Sequence, residues 1–566
     1  MKRLKLLHLS AAALLINAMP AFAATPTVTP DAGSLLRDIE REQKATIPTS
    51  PTLVAPEKPV APETAGAKFH VTKFHLEGNK RLSDAELQEV LAPWLNRELS
   101  FAEIQQAADA ITERYRRVGY LVRAYLPEQQ LDSGVVNIII VEALMGKVQV
   151  EDGGKKLRTS PEMARDTLSA RQKQGDDFNL GYLERGINLV NDIPGAEGAV
   201  VLSPSAKPGE TNVILKLMDK PMYSGSVQLD NNGSRSTGAN KISGNLSIDN
   251  PTKFGDQILL SGAHTDGSDY LHLGYMVPVG NDGLRVGAHS SYLQYTISSP
   301  LASGRAATLG LDARYPILRG SVNNVAVSGT FDNRSYLNNV GEIVASDKTI
   351  NIVTLGLSGD RIDGIGGGGF SFAGAFISAG KLDLSRDATD LANDAATAQT
   401  NGSFGKLAWN AGRLQKLGAT TNFWFSANGQ FASKNLDSSE RFSLGGPAGV
   451  RAYPNQEATG DNGWLMTAEI RQTLSDKLVL TGFYDQGHIV QYKDAWVGAL
   501  PAGQPAAFYL KGLGASLTWT EAGNYTLKLA VAHRVGSNPL AAATTGNDTD
   551  GTKVMNRIWV NLVKYF

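Results

Sequence analysis

No cysteine occurs in the 566 residues, which excludes disulfide staples, thiolate metal centres and cysteine nucleophiles. Charge of one sign is missing too. The 54 Lys and Arg stand against 55 Asp and Glu, a formal charge of −1, whereas a chain that holds nucleic acid through bulk charge carries a clear basic surplus. No apolar run reaches the roughly 18 residues that a membrane helix needs, and mean hydropathy is −0.18. A bundle of membrane helices is therefore excluded, but a membrane barrel is not. Catalytic signatures are equally scarce. There is no GxSxG or HExxH, and the eight His stand in no metal-ligand spacing, so no catalytic residue, metal or cofactor is assigned. Gly364 to Gly369 fits GxGxxG formally, but it lies between two strand-like runs with no helix after it. Asp548-Thr549-Asp550-Gly551 has the start of a calcium loop, but Trp559 stands where the closing Glu would be, so it reads as an exposed turn.

What is present begins with an address. Lys2, Arg3 and Lys5 precede an apolar stretch from Leu6 to Ile16, followed by Pro20 and Ala21-Phe22-Ala23, the layout of a secretory signal peptide over 1–23. Within 24–44, residues 31–44 predict a short helix with Asp31 as N-cap and Leu35 and Ile39 on one face. Five prolines then make 45–68 an extended linker.

Two copies of one small unit follow, over 69–144 and 145–220, each read as β-α-α-β-β. In the first, Phe69, Val71, Phe74 and Leu76 open the strand pattern, and helices are expected near Asp84 to Leu91 and Phe101 to Val118. In the second, helices are expected near Pro161 to Leu168 and Leu180 to Asn191. From 221 to 566 the helical period stops, and short runs of period two recur between Gly, Asn, Asp and Pro turns. Sixteen strands are expected, beginning near residues 222, 240, 256, 270, 283, 307, 323, 348, 369, 402, 421, 462, 478, 509, 525 and 557. In KISGNLSIDN, Ile242, Leu246 and Ile248 share one face, and Lys241, Asn245 and Asp249 the other. The last run alternates through Ile558, Val560 and Leu562 to a terminal Phe566. The fold class that results is a membrane β-barrel of 16 antiparallel strands, preceded by two α+β units and an N-terminal helix. A large soluble all-β solenoid or sandwich is the alternative on pattern alone.

Particular segments carry a resemblance. In the first unit Tyr115, Gly119-Tyr120, Pro127 and Gly134 are spaced as in POTRA domains, and Pro194-Gly195 resembles the turn that ends a helix in the second. Residues 442 to 464 resemble the loop that folds into the lumen of POTRA-plus-barrel proteins, with Val450-Arg451-Ala452-Tyr453 at its tip. Ala452 stands where the family has Gly, a poor fit if the tip needs positive φ. Downstream, Phe483-Tyr484-Asp485-Gln486-Gly487 matches the strand motif whose Asp accepts the loop's Arg, which implies an Arg451 to Asp485 contact; His488 is expected to face the pore.

On these residues the chain resembles the outer-membrane transporters of two-partner secretion, the TpsB proteins (ShlB/FhaC/HecB-like). The resemblance implies a monomer in outer-membrane lipid with its POTRA domains in the periplasm and the N-terminal helix, residues 31–44, as a plug helix in the pore. It also implies, as partner, a large secreted exoprotein of TpsA type with an N-terminal secretion domain, exported unfolded through the pore, with or without activation on the way; no nucleic acid is involved. A barrel-assembly factor of the same superfamily and a passive porin are the other readings. Phe483, Asp485 and Gly487 would then be wall partners of the loop, and Phe566 the barrel terminus.

Overall fold

The opening apolar run changes parity between Val71 and Phe74, so one continuous strand cannot bury all four of its apolar residues. The computed structural model, which describes residues 31–44, 68–131, 133–298 and 300–566, breaks the run there. The signal-peptide reading and the linker up to residue 67 lie outside the described residues. The chain forms β1 (Lys68–Val71) and β2 (Lys73–Glu77), and the N–H groups of Thr72 and Lys73 both donate to Gly134 O. Then come α1 (Asp84–Leu91), β3 (Arg97–Ser100), α2 (Phe101–Arg117), β4 (Val122–Tyr125) and β5 (Val135–Glu142). The β-α-α-β-β reading is thus corrected: β3 lies between the helices and pairs antiparallel with β1. Ser83 and Ser100 start the two helices with capping boxes closed by Glu86 and Glu103. The three-stranded sheet runs β2-β5-β4, and Phe74, Leu87, Ile104 and Ile111 fill the core beneath it.

The second unit comprises β6 (Leu144–Glu151), α3 (Pro161–Leu168), α4 (Leu180–Asn191), β7 (Ala196–Pro204) and β8 (Glu210–Asp219), with sheet order β6-β8-β7. The two units are joined by main-chain bonds. Leu121 N donates to Phe178 O, Phe178 N to Ala143 O, and Leu180 N to Gly119 O.

Sixteen antiparallel strands, numbered here along the barrel, then close a cylinder in chain order. Strand 1 is Tyr223–Asp230 and strand 16 is Asn556–Tyr565; they pair from Asn561↔Asp230 to Tyr565↔Ser226. Strands 6 (Leu301–Arg319) and 8 (Ile343–Asp363) begin ahead of the expected positions. The reason is that hairpins 5–6 and 7–8 continue pairing beyond the apolar band, giving strands of 19, 18 and 21 residues for strands 6, 7 (Asn323–Val340) and 8. Leu309, Leu311, Leu355 and Ile377 form outward rows left exposed for lipid. No described helix is long and apolar enough to cross a membrane.

Candidate functional site: a lumen filled by a loop and a helix

Between strand 11 (Thr421–Ala432) and strand 12 (Asn462–Ser475) the chain turns inward, and a short hairpin, Phe442–Leu444 with Ala458–Gly460, carries its tip into the lumen. At the tip Arg451 is 6% exposed and Asp485, on strand 13 (Leu478–Val490), is fully buried. Arg451 Nε donates to Asp485 Oδ2 at 2.8 Å and Nη2 to Oδ1 at 2.7 Å, a two-pronged fork; Arg451 N adds a third bond at 3.1 Å. The guanidinium also lies 3.4 Å from the centre of the Phe483 ring. Gly487 completes the strand motif by its lack of a side chain, since a Cβ there would meet Leu444 Cδ1 at 2.5 Å. Phe483, Asp485 and Gly487 therefore face inward together. His488, one residue on, faces outward, contrary to expectation. It packs 4.6 Å from Tyr509 and 6.2 Å from Trp464 on the lipid side, because an odd offset along a strand changes face.

Two tip contacts were not legible in the sequence. Arg451 Nη1 donates to Glu469 Oε1 at 2.9 Å, so the guanidinium is shared by two carboxylates, and Trp559 Nε1 donates to Arg451 O at 2.8 Å. Glu469 stands in an inward row of strand 12 without any motif, and the Trp559 contact exists only once strand 16 closes the cylinder. Ala452 is not among the residues at positive φ, so the tip needs no glycine there. Its methyl is accommodated across the lumen by Gly512, where a Cβ would lie 2.7 Å from that of Ala452. Val450, Ala452 and Tyr453 are completely buried in a cluster with Leu444, Ile489 and Leu510. On the far side Glu457 accepts bonds from Thr549 N and Oγ1 at 3.0 and 2.6 Å and from Asn538, tying the loop to the segment before strand 16. The Asp548 turn is consequently not the exposed turn expected. Asp548 is fully buried and pairs with Arg534 and Arg557.

The second occupant is a helix, α0 in position but first in the chain, Ala32–Lys44, named here the luminal helix. Asp31 Oδ1 caps it by accepting from Ser34 N at 2.9 Å. Leu35 and Leu36 pack against Leu293, Tyr295, Ile297 and Ile350 of the barrel wall, so the inward rows are apolar at this level rather than uniformly hydrophilic. Arg37 Nη1 donates to Ser438 O and Arg441 O, and Arg41 to Ser443 O and Gly445 O, all on the base of the inward loop. Glu42 pairs with Lys241.

The remaining sequence-predicted residues lie in the periplasmic units. Tyr115 is buried and its hydroxyl donates to Glu142 Oε1 at 2.7 Å. Burial, reinforced by that carboxylate, pushes the tyrosine pKa up. Burial also acts to raise Glu142, but the N–H groups of Arg81 and Lys80 outweigh it and hold this carboxyl below its ordinary value. Gly119 adopts φ +92° where the chain leaves α2, and Tyr120 carries Arg81 over its ring at 5.7 Å. Pro127 precedes β5 in the loop that ends at Gly134, whose φ is +71°. Pro194-Gly195 ends the turn after α4, with Gly195 O accepting from Lys220 N at 2.8 Å.

Sequence reasoning missed the joint between the second unit and the barrel. Arg185 on α4 is 5% exposed and donates to Asp282 Oδ1, Asp282 O and Pro316 O at 2.8 to 2.9 Å. Arg171 forks the same Asp282, and Arg319 forks Asp192 at 2.7 and 2.9 Å. The periplasmic unit is thus bolted to the barrel turns beside the mouth.

Comparison with known proteins agrees with this architecture. Residues 209–506 match the family described as haemolysin secretion/activation protein ShlB/FhaC/HecB, and 69–143 match the ShlB-type POTRA domain. The heme/hemopexin transporter protein HuxB of Haemophilus influenzae is 26% identical over 557 residues, covering 95% of each chain. The outer membrane transporter CdiB of Escherichia coli is 26% identical over 464 residues, covering 78% of this chain and 75% of its own. The solved structure of CdiB from Escherichia coli superposes with a TM-score of 0.67 at 20% identity, over 95% of this chain and 100% of that one. With a closed sixteen-strand cylinder, a matched POTRA unit and a family match over more than half its length, the chain belongs to the ShlB/FhaC/HecB family of two-partner secretion transporters of the outer membrane.

Proposed function

We propose that this transporter recognises one large exoprotein of TpsA type as an unfolded chain on its periplasmic units and passes it outward through the barrel once the luminal helix has left. The observation that carries this reading is the manner in which the lumen is filled: one occupant is forked to the wall, and the other is a separate helix resting on the first. No nucleotide is needed, because folding of the emerging chain outside prevents its return.

For recognition, the edge strand β7 is the better offered of the second unit's edges. Asn191 occupies the outward main-chain groups of Gly198, with bonds of 2.8 and 3.1 Å, and Pro204 ends the strand. The outward groups of Val200 and Leu202 are left between them, on a strand where Val201 and Leu202 are exposed. A short extended client segment adds there by main-chain bonds. Replacing both Val200 and Leu202 by Pro removes two outward N–H groups without touching the ladder to β8. Export should fall severely while the barrel stays folded; undiminished export would exclude this edge.

For conduction, deletion of residues 31–44 should raise single-channel conductance in a planar bilayer. An unchanged resting current would contradict the plug. The conducting role of the barrel and the part of Arg451 in it rest on this same reading.

A further inference from the structure

At the periplasmic mouth, where α4 meets the barrel, lies a cavity of about 470 Å³ bounded by Leu189, Asp192, Pro278, Arg285, Arg314 and Asp360, among others. Its size falls within the roughly 300 to 1,000 Å³ of ordinary ligand sites. Arg285 on strand 5 (Leu284–Ser298) and Arg314 on strand 6 are directly opposite each other in register, and both line this space. Two like charges in that relation repel, and a sheet ordinarily avoids them.

Among the described residues nothing in the wall pairs with these two cations. Arg285 Nη2 is buried without a partner there, and the one bond of this guanidinium is a long one from Nη1 to Gly255 O at 3.4 Å. Arg314 makes no hydrogen bond or ion pair among the described residues. The acids nearest Arg285 are already engaged: Asp192 is forked by Arg319, Asp249 accepts from Ser247 and Gln257, and Asp256 accepts from Tyr275 and Thr252. Asp360, which bounds the same cavity, accepts from Asn324, and farther up the wall Asp312 pairs with His289. The cavity therefore presents two guanidinium groups with donors to spare, and its two carboxylates, Asp192 and Asp360, bond other residues.

We propose that Arg285 and Arg314 form a carboxylate-binding site for an acidic side chain of the exported polypeptide as it passes from the second periplasmic unit into the barrel. The site deepens the export reading and rests on it for the identity of the occupant. Guanidinium forks suit a carboxylate, and the site lies beside α4, on the way from β7 to the lumen. A weak, charge-selective contact there holds a segment in register without trapping it.

The test is equilibrium binding to the detergent-solubilised full chain. Fluorescently labelled hexaglutamate should bind, hexalysine should not, and Arg285→Gln with Arg314→Gln should weaken hexaglutamate by about tenfold or more. Arg285→Lys with Arg314→Lys keeps the charge but not the fork and should bind between the natural chain and the Gln variant, and heat-modifiable migration on gels reports that each variant is folded. No binding by the natural chain, equal binding by the Gln variant, or displacement of hexaglutamate by equimolar inorganic phosphate would each overturn the assignment. The export reading is scored separately. A chain that opens on loss of residues 31–44 but ignores hexaglutamate fails this site alone, and one that binds hexaglutamate but never conducts fails the reading and not the site.

Discussion

The inward loop and the luminal helix fill the same lumen, yet they are held in opposite ways. The loop's arginine, Arg451, has its guanidinium forked by one carboxylate, shared with a second and stacked on a ring, and the residues on both sides of it are fully buried. The helix's arginines, Arg37 and Arg41, hydrogen-bond only main-chain carbonyls among the described residues, and the acid they share, Asp38 of the same helix, stands at 3.9 to 4.0 Å. Arg37 Nε and Nη2, Arg41 Nε and both oxygens of Asp38 are buried with no hydrogen-bond partner at all. Unsatisfied buried groups cost free energy that their neighbours must offset. The loop too has such groups, Tyr453 Oη and Gln456 Nε2 among them, so the contrast lies in the anchors: two wall carboxylates grip the loop's arginine, and among the described residues none grips those of the helix. Because the helix lands on residues 438 to 445, the base of the loop, a fixed loop is also what gives a mobile helix its seat.

The same truncation made in the two places should therefore do different things. Arg451→Ala leaves Asp485 buried without its cation, while Glu469 keeps Arg471, a loss of about 3 to 5 kcal/mol from the anchoring of the loop. The barrel should still migrate heat-modifiably, and export should stop. Full export by this variant would make the loop a bystander. Arg37→Ala with Arg41→Ala gives up bonds to carbonyls but also relieves buried, half-satisfied charge, so barrel stability should change by no more than about 1 kcal/mol. Brief openings in a planar bilayer should become more frequent. If instead this pair destabilised the barrel as much as Arg451→Ala, the contrast between the occupants would vanish.

How far the sequence led depended on how local each signal was. Barrel strands announce themselves by alternation, and most begin within two residues of the expected positions; strands 6 and 8 do not, since their added length is extracellular ribbon that lipid does not pattern. The parity change at Thr72 was visible as two apolar pairs out of phase, but β3 was not, because Arg97-Glu98-Leu99-Ser100 has a single buried side chain to mark it. The Arg451 to Asp485 pairing could be read because both ends sit in motifs. Glu469, Trp559, Gly512 and Arg185 could not. Each meets its partner only through register, cylinder closure or docking of a separate unit, none of which leaves a periodic trace. His488, expected to face the pore, stands at an odd offset from Phe483, Asp485 and Gly487 and so faces the other way.

The claim that the helix must leave for the pore to work is most directly tested by preventing it from leaving. A Cβ on Gly33 would lie 2.5 Å from Ser439 Cβ, nearer than the roughly 3.8 Å of a disulfide, so a shift of the helix by about 1 Å seats the bond, and the chain has no other cysteine to interfere. In Gly33→Cys with Ser439→Cys, single-channel recording and export should both be silent under oxidising conditions and return on adding reductant. Openings or export at the natural level with the bond closed would contradict the account.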